Sequence, residues 1–179
     1  MSPVLREIAD SDIAIFYEHQ LDPEAIAMVG HAGEPRPDRE SYDAKWAANR
    51  KNPVIVVRTV LSGDRVAGYV TCFERASEAS EEGERAGRPK ADQARINRFG
   101  VREVGYWIGR EYWGQGLATA ALRELLVIVT ARPLAARVAK HNAGSRRVVE
   151  KCGFVITGED RYTPVPGGPE IPEWVLTLA

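Results

Sequence analysis

Between Val101 and Ala131 the chain reads as strand, turn and helix in one continuous run, and no other stretch limits the possible folds as tightly. Val104, Tyr106, Trp107 and Ile108 are β-formers, and large apolar side chains fall on both alternating faces, as in a strand covered on both sides. Gly109 ends that strand. From Leu117 the period changes to that of a helix. Leu117, Ala121, Leu125 and Ile128 form one apolar row and Ala118, Leu122, Leu126 and Val129 a second, while Thr119, Arg123 and Thr130 mark a polar side. Pro133 closes the helix from beyond.

The junction of strand and helix carries the chemistry. Gly114 and Gly116 flank the point where the helix begins, and a helix start leaves backbone N–H groups without partners and a partial positive charge. Two glycines there remove the side chains that would keep a phosphate off the backbone, so Trp113, Gly114, Gln115, Gly116, Leu117, Ala118 and Thr119 read as a pyrophosphate cradle. A glycine turn that needs positive φ explains the same two residues. A P-loop is excluded, since Leu117 and Ala118 stand where its Lys and Ser/Thr would be. So is a dinucleotide fingerprint: Thr119 occupies the third glycine position, and no acidic residue lies about 20 residues on to hold a ribose.

A chain of 179 residues with 44% hydrophobic content suits one globular domain spanning residues 1–179. Its 24 Lys and Arg nearly balance 25 Asp and Glu, and the net charge of −1 argues against a protein built to coat nucleic acid or an anionic membrane. Any anion site must be local. No apolar run reaches the length of a membrane span, and Asp10 and Asp12 stand where a signal peptide would be basic and then apolar, so a cytoplasmic location is expected. Cys72 and Cys152 are too few and too far apart for a zinc site or a disulfide framework and read as ordinary small residues. No metal is expected.

Along the chain, Val4 to Ile8 predicts a short strand, and Asp10 or Ser11 can cap a helix through about Glu18. Pro23, Gly30, Gly33, Pro35 and Pro37 then allow only short helices before a longer one from about Asp38 to Arg50, with Tyr42 and Trp46 on its apolar side. Val54 to Val60 and Val66 to Phe73 form a predicted hairpin around Ser62-Gly63-Asp64-Arg65. From about residue 74 to 99 the composition is acidic and then basic with almost no apolar residue, which predicts a solvated, mobile loop. Leu134 to Lys140 supplies a strand parallel to the one before the helix, with a right-handed crossover. Phe154 to Thr157 and Glu173 to Leu178 are two further strands around a loop rich in Pro and Gly. Between them and the crossover strand, Asn142 is a good helix N-cap, and Gly153 with Phe154 a helix C-cap.

Two motifs in register carry a resemblance. Gly105-Tyr106-Trp107, Tyr112-Trp113-Gly114-Gln115-Gly116 and Ala118-Thr119 resemble motif A of the GNAT superfamily of acetyl-CoA-dependent N-acetyltransferases, closest to the branch of ribosomal-protein N-terminal acetyltransferases. Asn142-x-x-Ser145 and Lys151-x-Gly153-Phe154 resemble its motif B. Glu111 departs from the pattern, in which Gln or Arg often stands three residues before the first glycine.

The resemblance implies an α/β (α+β) GNAT fold: one mixed, mostly antiparallel sheet of six to seven strands with helices on both faces, the fourth and fifth strands parallel and splayed. It implies acetyl-CoA as co-substrate and direct acetyl transfer to an amine, of a protein N-terminus or a small molecule, by a monomer or homodimer. The cradle would take the pyrophosphate, backbone of Tyr106, Trp107 and Ile108 the pantetheine arm, and Asn142 would orient that arm or a water. Ser145 stands as the acid toward the leaving thiolate, because the positions near Val148 and Val149, where many members carry a Tyr, have no hydroxyl. Glu103 is the family-matching base, acting through water, or else an exposed strand-edge acid. His19, His31, Tyr42 and Trp46 lie in the region that flanks the acceptor site, the two aromatics reading first as core. The other reading is a GNAT fold that binds acyl-CoA without turning it over.

Overall fold

The computed structural model describes residues 4–29, 37–74, 102–164 and 168–179. The charged stretch and His31 lie outside these residues, apart from Glu74 at the end of a strand. In chain order the elements are β1 (Val4–Arg6), α1 (Asp10–His19), α2 (Pro23–Met28), α3 (Arg39–Lys51), β2 (Val56–Ser62), β3 (Arg65–Glu74), β4 (Arg102–Ile108), a 3-10 turn (Arg110–Tyr112), α4 (Leu117–Ile128), β5 (Leu134–Ala139), α5 (Ala143–Lys151), β6 (Val155–Tyr162) and β7 (Ile171–Leu178).

The strands form one seven-stranded sheet in the order β1-β2-β3-β4-β5-β7-β6. Every adjacent pair is antiparallel except β4 and β5. The expected single mixed sheet with a parallel fourth and fifth strand is what the chain forms. That parallel pair shares only two rungs, Arg102 with Leu134 and Glu103 with Ala135. Beyond them β4 stays paired with β3 as far as Ile108 with Gly68, and β5 stays paired with β7 as far as Ala139 with Glu173. The two strands therefore diverge, leaving a fork whose open length along β5, from Ala135 to Ala139, is roughly 13 Å at the usual rise per residue.

A core lies on each side of the sheet. On one, Leu117, Ala121, Leu122 and Leu125 of α4 pack with Val60, Val70, Cys72, Val104, Ile108, Leu134, Val138 and Leu176 from the strands. The apolar rows read in the sequence supply this face except at Ile128, which is exposed. On the other, Phe16 of α1 meets Trp46 of α3 and Tyr69 of β3, with ring centroids 5.2 and 5.0 Å apart, among Ile8, Ile13, Tyr42 and Val57.

Three local expectations change. The N-cap of α1 is Ala9, whose backbone N–H is received by Asp12 at 2.9 Å, so neither Asp10 nor Ser11 caps the helix. Asp12 is buried and also accepts hydrogen bonds from Arg6 at 2.6 Å and Thr59 at 2.7 Å, which fixes α1 to β1 and β2. The helix expected to run toward Ala131 ends at Ile128, with Val129 extended and buried. Finally, β6 runs to Tyr162, five residues past the expected end at Thr157, with a register shift between Ile156 and Gly158.

Candidate active site

The fork between β4 and β5 opens a cleft of about 170 Å³ that passes through the sheet. Side chains alternate along a strand. Val104, Tyr106, Val138 and Val149 therefore line the cleft from the face that carries α4 and α5, and Arg137, Ala139 and Glu173 from the opposite face, beside Met28 of α2. Groups held on the two faces can meet here.

On the α5 face the Tyr106 hydroxyl lies 2.7 Å from the Ser145 hydroxyl, with the Ser145 carbonyl at 3.3 Å. Burial pushes the Tyr106 phenol up to about 12, against the pull of its hydrogen bond to Ser145, so it keeps its proton through the neutral range. The hydroxyl missing from the motif B helix thus arrives from the neighbouring strand. The sequence reading gave Tyr106 only a backbone role. Its place two residues after Val104, on the parity that faces α5, was the signal available.

Asn142 is committed on both sides. Its Oδ1 caps α5 by accepting from the Ser145 N–H at 2.9 Å, and its Nδ2 donates to the Met28 carbonyl at 2.9 Å. His141 Nε2 reaches the Ala27 carbonyl at 2.8 Å. Together they tie the carboxyl end of α2 to the start of α5, across the mouth of the fork.

The glycine loop joins β4 to α4. Gly114 and Gly116 have φ of +74° and +78°, a left-handed conformation that favours glycine, and a Cβ at either position would meet nothing within 4 Å. The turn therefore needs positive φ, and the space beside it is open. No side chain caps α4 among the described residues, so its first N–H groups face that space. Trp113 is 38% exposed and pins the loop by donating from Nε1 to the Ile108 carbonyl at 2.8 Å, while Gln115 donates to the Glu111 carbonyl at 2.9 Å. Leu117 is buried and Ala118 packs against the core, so these two offer a ligand backbone only. The Thr119 carbonyl receives the Cys152 thiol at 3.6 Å. Trp107 points to the other face, donating to the His19 carbonyl at 3.2 Å.

Glu103 is no exposed edge acid. It is 5% exposed, at the last shared rung of the fork, and accepts from Arg137 Nε at 2.9 Å. Arg137 also pairs through Nη1 with Asp160 of β6. Burial alone would push the Arg137 guanidinium down; Glu103, Asp160 and Glu173 together reverse that and raise it. Four charges from β4, β5, β6 and β7 thus share one face of the sheet.

Of the residues expected to flank an acceptor, Tyr42 and Trp46 are buried in the core under α1 and touch Phe16, Tyr17 and Tyr69 rather than the cleft. His19 packs so closely on Gly109 that a Cβ there would stand 2.8 Å from its ring. Burial lowers the His19 pKa, opposed by Glu111, whose carboxylate lies 3.8 Å away. Among the described residues no group of three or more His, Cys, Asp or Glu is arranged to hold a metal, and no helix is long and apolar enough to cross a membrane.

The sequence profile of the acetyltransferase (GNAT) domain matches residues 4–155, and the chain belongs to this family. A protein of Bacillus subtilis (strain 168), YdaF, provisionally named as a ribosomal N-acetyltransferase, is 38% identical over 63 residues, a match spanning 33% of this chain and 34% of that relative's length. The fold is that of the spermidine N-acetyltransferase of Vibrio cholerae, solved with CoA and spermine, at a TM-score of 0.73 and 16% identity over 99% of this chain and 95% of that one. A phosphinothricin acetyltransferase of Sinorhizobium meliloti, solved with acetyl-CoA, superposes at a TM-score of 0.74 with 18% identity, covering 99% and 88% of the two chains.

Proposed function

We propose that the protein transfers an acetyl group from acetyl-CoA to a primary amine, of a protein N-terminus or a small molecule. The observation that carries this reading is the cleft through the sheet, with a hydroxyl pair on one face and a carboxylate-rich cluster on the other. Acetyl-CoA supplies the acyl group as a thioester. In this reading the N–H groups from Gly114 to Thr119 receive its pyrophosphate, and the free edge of β4 near Tyr106 to Ile108 lies along its pantetheine arm. Ser145, held by Tyr106, donates to the departing sulfur. Asn142 serves mainly to fix α5 and α2, because both its polar atoms are engaged. Relatives solved with CoA, one of them also with spermine, support the donor and an amine acceptor. A cytoplasmic location and a monomer or homodimer accompany this reading.

Incubation with acetyl-CoA and a panel of amines, following free thiol, tests the function. Thiol release that requires an amine is expected. Binding of acetyl-CoA without release under any amine would leave a non-catalytic acyl-CoA binding protein instead.

The cradle has its own test. Replacing Gly114 or Gly116 would confound binding with backbone strain, because both are left-handed. Gln115→Glu avoids this. Its side chain is exposed, and a carboxylate beside the phosphates should weaken CoA binding about tenfold, or about 1.4 kcal/mol, with the melting temperature unchanged. An unaltered Kd in calorimetry would move the pyrophosphate elsewhere.

A further inference from the structure

We propose that Glu173 of β7, rather than Glu103, is the carboxylate that meets the acceptor amine and takes its proton. The inference rests on the amine-acetylation reading and names the base for it. Both residues lie on the sheet face opposite α4 and α5, but at different points of the fork. Glu103 stands at its closed end, buried, with a carboxylate oxygen fixed on Arg137 Nε at 2.9 Å, and it does not line the cleft. Glu173 lines it, beside Gly105, Arg137 and Met28. A base must come within hydrogen-bond reach of the proton it removes, so position in the cleft decides between the two.

The register explains why β7 delivers this side chain. Glu173 pairs with Ala139, the last residue of β5, and across its other edge with Asp160 of β6. It therefore stands at the open end of the fork, on the same parity as Arg137. Arg137, which lines the cleft with Glu173, has Nε on Glu103 and Nη1 on Asp160. Three carboxylates around one guanidinium leave an acidic excess on this face, which favours a protonated amine over a neutral or anionic acceptor. The ammonium gives one proton to the Glu173 carboxylate. The free nitrogen then forms a bond to the acetyl carbonyl carbon as the carbon–sulfur bond breaks. Ser145 gives its proton to the departing thiolate and regains one as the second nitrogen proton leaves the new amide, and Glu173 returns its own proton to water.

The test compares Glu173→Gln and Glu103→Gln with the wild-type chain between pH 6 and 10, using spermine and an alanyl tripeptide as acceptors. Glu173→Gln should lose roughly 10²-fold or more in kcat near neutral pH and recover as the pH rises and free amine becomes abundant, with CoA affinity unchanged. Glu103→Gln should show a smaller loss that does not vary with pH. Should Glu173→Gln fold poorly, Glu173→Asp serves: a kcat lowered about tenfold with the wild-type pH profile supports the assignment. Wild-type kcat in either Glu173 variant at low pH, or a loss in Glu173→Gln that is equal at every pH, overturns it. A wild-type protein that releases thiol with no amine sinks the acetylation reading itself, whereas an active wild type with an equally active Glu173→Gln sinks the base alone.

Discussion

Arg137→Leu should destabilise the fold by about 3–5 kcal/mol at neutral pH, the usual effect of removing one partner from a buried ion pair. The Arg137 side chain is 7% exposed and holds the side chains of Glu103 and Asp160, which are 6% and 11% exposed. Leucine fills most of the volume but leaves the carboxylates facing each other without a cation. Urea unfolding at neutral pH checks this. A deficit below about 1 kcal/mol, the range of exposed pairs, would mean that the cluster contributes as a surface ion pair does.

Phe16→Ala should have a similar effect, about 3–5 kcal/mol, for a different reason. Phe16 is fully buried, and its ring joins α1 to α3 through Trp46 and to β3 through Tyr69. The rings around it are large and fixed by one another, so the cavity collapses only in part. α1 also supplies the carbonyl that receives Trp107 and, through the adjoining Gln20, a hydrogen bond to Tyr69 at 2.7 Å, so loosening it should reach β4. Chemical denaturation gives the first number, and acetyl-CoA affinity should fall in the same variant. A change under about 1.5 kcal/mol would show a core that repacks freely.

The parts of the fold legible in the sequence were those whose local and tertiary signals agree. The apolar rows of α4 face the core as far as Leu126, while Ile128 turns out to solvent, and Asn142 and Gly153 bound α5 as caps do. The fork could be expected only through the resemblance, since divergence of two strands leaves no periodic trace. What was missed has physical causes. The helix α2 is short, but Asp22 caps it by accepting from Glu24 and Ala25 and Pro23 opens it, a start signal diluted by the glycines and prolines that follow. The second half of β6 contains Gly158, Glu159 and Asp160, poor strand formers locally; pairing with β7 overrides their propensity. In the site, the cradle and Ser145 were visible as motif positions. The partnership of Tyr106 with Ser145, the Arg137 cluster and the exposure of Glu173 to the cleft were not, because each joins residues 13 to 39 positions apart through the sheet register or the packing of α5 on β4.

The two rungs shared by β4 and β5 make the sheet behave as two plates joined along a short hinge, one carrying β1 to β4 and the other β5, β7 and β6. The crossover helix α4 and the hydrogen bonds from His141 and Asn142 to α2 are struts on either side of that hinge. A molecule wedged along the slit touches both plates at once, so it acts as a splint: it should stiffen residues beyond its own contacts, and hydrogen exchange in β6 and β7 should slow when CoA is bound.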